Sequence, residues 1–95
     1  MDPKIAPSDN GGMTNTSLFH LERRDPARNM KRFYRLAVER DLFGEILLVR
    51  EWGRIGRQGR RRIEPQPDTE AALMRASTLA RAKRRRGYVE IPSPA

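Results

Sequence analysis

Thirteen residues in the middle of the chain hold most of the chemistry its side chains could do. The segment Arg50-Glu51-Trp52-Gly53-Arg54-Ile55-Gly56-Arg57-Gln58-Gly59-Arg60-Arg61-Arg62 contains the only tryptophan, three glycines spaced by three, six arginines and one acid. Arginine's planar fork matches phosphate oxygens and stays charged at any relevant pH. Glycines let a backbone approach a phosphate closely. An indole offers a flat face to a base or sugar. Two readings of Trp52 stay open, since a tryptophan near a strand end also serves as core. The arginine-glycine cluster as a whole points outward to a polyanion, because arginines spaced by glycines serve packing poorly.

A second cluster lies near the C-terminus, Arg81-Ala82-Lys83-Arg84-Arg85-Arg86. Cations at the end of a helix complement its macrodipole, with Asp68 and Glu70 placed correctly at the other end. Capping accounts for one or two of the five charges, and part of the remainder, Lys83, Arg84 and Arg85, is available to a polyanion.

The whole composition leans the same way. Twenty Lys+Arg against twelve Asp+Glu give a formal net charge of +8 over 95 residues. Only Lys4, Lys31 and Lys83 are lysines, so the positive charge is nearly all arginine. Such a balance makes polyanions the default partners. An acidic protein that docks on the basic face is the alternative.

Catalysis finds little support. There is no cysteine and one histidine, His20, so a disulfide framework, a thiolate metal site and a cysteine nucleophile are excluded. Ser17, Ser77 and Ser93 have no neighbouring histidine or lysine that marks a nucleophile. The glycine loop lacks the Lys-Ser/Thr pair of a P-loop. A binding protein is expected rather than an enzyme, with no cofactor, no metal and no small-molecule substrate. No apolar run approaches the roughly 20 residues of a membrane helix, and the first twelve residues lack the apolar stretch of a signal peptide. These features lead to the expectation of a cytoplasmic chain that contacts no membrane, nucleoid-associated if it binds DNA.

The elements that would position these residues follow from periodicity. Residues 1–15 read as a disordered tail and 92–95 as a disordered end, leaving one domain over 16–91. Thr16 to Arg23 alternates, with Phe19 and Leu21 on one face. Lys31 to Glu39 alternates too, placing Tyr34, Leu36 and Val38 together and Phe33, Arg35 and Ala37 opposite. Gly44 to Trp52 carries the run Ile46-Leu47-Leu48-Val49, which suits an interior strand covered on both faces for part of its length. Arg60 to Glu64 reads as a short strand stopped by Pro65. A helix then starts at Asp68 or Thr69 and stops at Gly87, with Ala72, Leu73, Ala76, Leu79, Ala80 and Lys83 on one stripe. Tyr88, Val89 and Ile91 form a short extended segment. The class is α+β: an antiparallel sheet of four to five strands with one C-terminal helix packed against it.

With Trp52-Gly53-Arg54 in place, the sequence resembles a WGR domain, a module named for those residues. Asn29-Met30-Lys31-Arg32-Phe33-Tyr34 resembles the family's Asn-basic-Phe-Tyr strand. Arg50 to Gly56 resembles its signature strand and turn, and Lys83 to Tyr88 resembles the close of short bacterial members. The resemblance implies an antiparallel sheet with one helix. The module occurs in some poly(ADP-ribose) polymerases, where it binds DNA breaks and relays that binding to a separate catalytic domain. These 95 residues leave no room for such a domain, so no ADP-ribosyl transfer is expected of them. What the resemblance carries over is a nucleic-acid-binding module that recognises DNA ends, nicks or single-stranded regions. Trp52 would pack at the strand end and Arg54 by the backbone near the 5′ terminus. Gly53 completes the motif. On the charge argument alone, Arg50, Arg57, Arg60, Arg61 and Arg62 add phosphate contacts.

Overall fold

Alternation and turn chemistry build five strands and one helix. The computed structural model describes residues 14–92. Strands β1 (Thr14–Asp25), β2 (Met30–Arg40), β3 (Ile46–Arg54) and β4 (Arg60–Gln66) follow one another by hairpins. Helix α1 (Thr69–Arg85) comes next, and a two-residue strand β5 (Val89–Glu90) ends the fold. All pairings are antiparallel, and the sheet order is β4-β3-β2-β1-β5. The expected α+β class, with four to five antiparallel strands and one late helix, is the observed architecture. The tail expected over 1–15 lies outside the described residues, except that Thr14 and Asn15 stand in β1 opposite Arg40 and Glu39.

The helix covers one face. Leu21, Tyr34, Leu36, Val38, Ile46 and Leu48 point towards it, and Ala72, Ala76 and Ala80 meet them fully buried. Alanines in the contact stripe let the helix axis sit close to the sheet. Leu79 and Tyr88 pack at the margin of the same cluster. Leu73 does not join them and is 42% exposed. It lies about 100° around the helix from Ala72, past the edge of a stripe centred on the alanines.

Both helix ends are closed by local hydrogen bonds. The Asp68 carboxylate accepts from the Ala71 N–H at 2.8 Å, an N-cap that satisfies one orphan donor. At the other end, Gly87 has φ +94°. The Tyr88 N–H donates to the Lys83 carbonyl at 3.1 Å, and the Gly87 N–H to that of Arg84 at 3.0 Å. This paired closure is a Schellman motif. It turns the chain so that β5 adds to β1, with Ile91 N–H donating to His20 O at 2.7 Å.

Three local features depart from simple alternation. The register of β1 slips between Ser17 and Phe19, a bulge that brings both Leu18 and Phe19 against the core. Pro65 does not stop β4, which pairs on to Gln66. An edge strand has one side without ladder partners, where a missing N–H is harmless. β3 runs through the whole Trp-Gly-Arg motif to Arg54 before the chain turns.

The β3–β4 turn closes on itself tightly. A Cβ on Gly59 would fall 2.7 Å from the Phe33 ring and closer still to the Trp52 carbonyl oxygen. Gly53 faces Gly59 across the same gap, where an added Cβ would sit 2.8 Å from the Gly59 Cα. Two of the three loop glycines therefore have a packing reason of their own. Gly59→Ala is expected to destabilise the domain by about 1–3 kcal/mol through overpacking. Gly56→Asn is expected to be far milder, because nothing lies within 4 Å of its added Cβ and asparagine tolerates the φ of +87°. Urea unfolding of the two variants beside the wild type reads the contrast.

Candidate nucleic-acid interface

The pairing register decides which basic residues meet. Directly opposed residues of an antiparallel pair share a face, with Cβ atoms about 5 Å apart. Arg23 of β1 stands opposite Arg32 of β2, and Arg32 stands opposite Arg54 of β3. Three arginines thus lie in one row across three neighbouring strands. The next row inward is Leu21, Tyr34, Trp52 and Arg60. Both rows belong to the helix-facing side of the sheet, at the end reached by the C-terminus of α1. A Cβ on Gly87 would lie 3.3 Å from the Arg23 Nε.

Lys83 brings the helix into this cluster. Its ammonium sits over the rings of Tyr34 and Tyr88, at 4.8 and 5.2 Å from their centroids. Burial pushes its pKa down, and the nearby positive charges of Arg86, Arg50 and Arg32 push it further. Four basic residues from α1, β2 and β3 therefore share one neighbourhood. Like charges placed opposite each other in a sheet are destabilising, so the row Arg23–Arg32–Arg54 is an arrangement that an anion would relieve.

Several of the other predicted cations are already occupied. The Arg50 guanidinium donates to Glu64 at 2.7 Å and to the Tyr34 hydroxyl at 3.2 Å, and lies over the Trp52 ring at 5.8 Å. Arg62 and Arg75 reach the same Glu64 at 3.7 and 3.3 Å. Arg61 points to the opposite face and donates to the buried Glu39 at 3.2 Å. There it lines a groove with Arg35 and Glu51, which pair at 3.6 Å. Arg84 donates to Glu90 at 2.7 Å and covers the Phe19 ring at 5.5 Å. Arg54 donates to the carbonyl and side-chain oxygens of Asn29, at 3.2 and 3.3 Å. Asn29 sits at φ 52°, in the left-handed region asparagine tolerates. The motif arginine is thereby aimed by the β1–β2 connection while its charge stays uncompensated.

The run Arg60–Arg62, read in the sequence as one patch, is split by strand alternation between the two faces. Arg57, Arg60 and Arg85 are exposed and make no ion pair among the described residues. Neither do Arg23, Arg32 and Arg86, which the sequence reading did not count among the candidate contacts. Trp52 is half-buried, with one side against the core cluster. Among the described residues, no group of three or more His, Cys, Asp or Glu could hold a metal ion, and no helix is long and apolar enough to cross a membrane.

Comparison with known proteins shows the family. The model of the WGR domain family matches residues 17–94, most of the chain, and the chain belongs to that family. WGR domains as a type are nucleic-acid-binding modules. The uncharacterized protein y4dW of Sinorhizobium fredii is 45% identical over 74 residues, which cover 78% of this chain and 36% of that protein. The chain thus spans about a third of the length of this curated relative. No solved structure matches.

Glu64 is the acid on which the helix-facing side depends. Burial alone would raise its pKa. Hydrogen bonds from Arg50 and Arg75 outweigh that and hold the carboxyl below the usual carboxylate range. Its contribution to stability is therefore complete above that range and is lost as pH falls through the depressed value. Glu64→Gln is expected to cost about 1–3 kcal/mol at pH 7, from lost charge-assisted bonds. The gap between variant and wild type should narrow towards pH 3. Thermal or urea unfolding at the two pH values measures both.

Proposed function

We propose that the domain binds DNA at ends, nicks or adjoining single-stranded regions, through the end of the sheet where α1 terminates. The carrying observation is the row Arg23–Arg32–Arg54, three arginines opposed across neighbouring strands without a carboxylate partner. Beside it stands Trp52, half-buried, with Arg60 opposite. In this reading, the arginines neutralise consecutive phosphates and displace their counterions. Trp52 lies alongside them, placed to meet the sugar or base where the strand stops. A continuous duplex offers the indole no exposed terminal face, which gives the preference for interruptions. Lys83 and Arg86 extend the field from the helix end, and Arg57 and Arg60 from the turn. Arg50 acts by holding Trp52 and Glu64 in place, and Arg61 belongs to the opposite face.

Fluorescence anisotropy tests this with a nicked, 5′-phosphorylated duplex beside an intact duplex of the same sequence, over a range of salt. Arg32→Ala and Arg23→Ala are each expected to weaken binding to both duplexes. Each should also reduce the log–log salt slope by about 0.9 if it removes one phosphate contact. Trp52→Ala is expected to remove the preference for the nick while leaving salt-sensitive duplex binding. Trp52→Phe, which keeps a ring against the core, guards against loss of fold. Equal affinity of the wild type for nicked and intact DNA would reject end recognition. Unchanged binding in the double variant Arg23→Ala/Arg32→Ala would reject the site.

A further inference from the structure

The end of the sheet remote from the basic row presents a different surface. Asp41 to Glu45 joins β2 to β3, and its tip is Leu42-Phe43, exposed by 69% and 90%. The turn is fixed by its own hydrogen bonds. The Asp41 carboxylate accepts from the N–H groups of Phe43 and Glu45, both at 2.9 Å. The Gly44 N–H donates to the Asp41 carbonyl at 3.1 Å, and the Asp41 N–H to that of Glu45 at 3.0 Å. Gly44, at φ +82°, completes the reversal. Loop tips are ordinarily polar. Here two large apolar side chains stand on a stiff support and contribute almost no burial to the fold. A preorganised apolar knob of this kind loses little freedom on docking.

The other end of the sheet carries a hollow of suitable character. It measures about 280 Å³ and is lined by Pro26 and Met30, with Asn29 and the basic Arg24 and Lys31. Lys31 makes no ion pair among the described residues, while Arg24 shares Glu22 at 3.2 Å. Formal charge is complementary: residues 24–31 sum to +2 and residues 40–45 to −1. Knob and hollow lie at opposite ends of β2, so one chain cannot join its own pair. We propose that the hollow of one copy receives the Leu42–Phe43 knob of the next, so that the domain assembles head to tail. A contact between different patches propagates as an open chain unless its rotation closes a ring. Nucleic acid and membranes suit the knob less well, since Asp41 and Glu45 flank it and repel phosphate-bearing surfaces. The inference does not depend on the DNA-binding reading.

Sedimentation velocity over a hundredfold range of protein concentration, without nucleic acid, is the test. The wild type should show a series of species growing with concentration. Phe43→Ser and Met30→Arg should each shift that growth to at least tenfold higher concentration, as loss of a buried anchor does. Both positions can change without opening the core cluster, and circular dichroism checks that each variant folds. Mixing the two variants gives the decisive arm. The intact hollow of Phe43→Ser can accept the intact knob of Met30→Arg, so the mixture should form a dimer and stop there. A wild type that stays monomeric throughout overturns the proposal. So does growth that Phe43→Ser leaves untouched, or a variant mixture with no dimer. Binding of the wild-type knob to neutral lipid vesicles, without self-association, would assign it to a membrane instead.

Discussion

A single carboxylate holds together elements that the charge surplus would otherwise push apart. Glu64 sits on the edge strand β4 and accepts from Arg50 on β3 and Arg75 on α1, with Arg62 alongside on its own strand. Its side chain is only 15% exposed, so these bonds are formed where water screens them weakly. The linkage joins edge strand, interior strand and helix at the border of the alanine contact. It also fixes Arg50, which bridges to the Tyr34 hydroxyl and overlies Trp52. The position of the motif tryptophan therefore rests on an acid twelve residues further along the chain.

The remaining acids show the same economy. Glu39 answers Arg61, Glu51 answers Arg35, and Glu90 answers Arg84. Asp68 and Asp41 are committed to backbone N–H groups of a helix cap and a turn. Almost every carboxylate in the described chain has a local task, and none is placed against the row Arg23–Arg32–Arg54. Repulsion there costs stability, and a small domain has little to spare. The helix end softens it, since the carbonyls and the dipole of α1 terminate nearby. An unrelieved row of like charge is the kind of local conflict that folds tolerate mainly at functional sites.

Much of this was legible in the sequence, and most of what was missed has one physical cause. Alternation in 31–39 sorted Tyr34, Leu36 and Val38 from Phe33 and Arg35 correctly, because a strand's side-chain period is two whatever its partners. The helix, its start at Asp68 or Thr69 and its Gly87 stop were equally plain. Register was not, since it depends on which residues lie opposite across strands. Arg23 and Arg32 joined the basic row only once pairing set them beside Arg54. For the same reason, Arg60–Arg62 read as one patch although alternate members face opposite ways. The bulge near Leu18 and the continuation through Pro65 depend on sheet context too, the one on core packing and the other on an edge position. Leu73 failed as a core residue because apolar character was weighed above its angle on the helix.

The same register also explains why the two ends of the sheet differ so strongly. The β2–β3 hairpin is short, and its turn is closed by a side chain of its own, so it needs no support from the rest of the fold. At the opposite end, the β1–β2 connection and the β3–β4 turn lie side by side and are tied together. Ile55 N–H donates to the Lys31 carbonyl at 2.9 Å, and Arg54 reaches Asn29. Charge can accumulate at that end because the backbone there is cross-braced between two hairpins. An apolar tip can stand at the other because nothing in the core requires it. Surface chemistry in this domain is thus divided along the strand direction. Residues on one strand act together only when pairing gives them neighbours, and the Trp-Gly-Arg motif becomes a surface through β1 and β2 rather than through its own sequence.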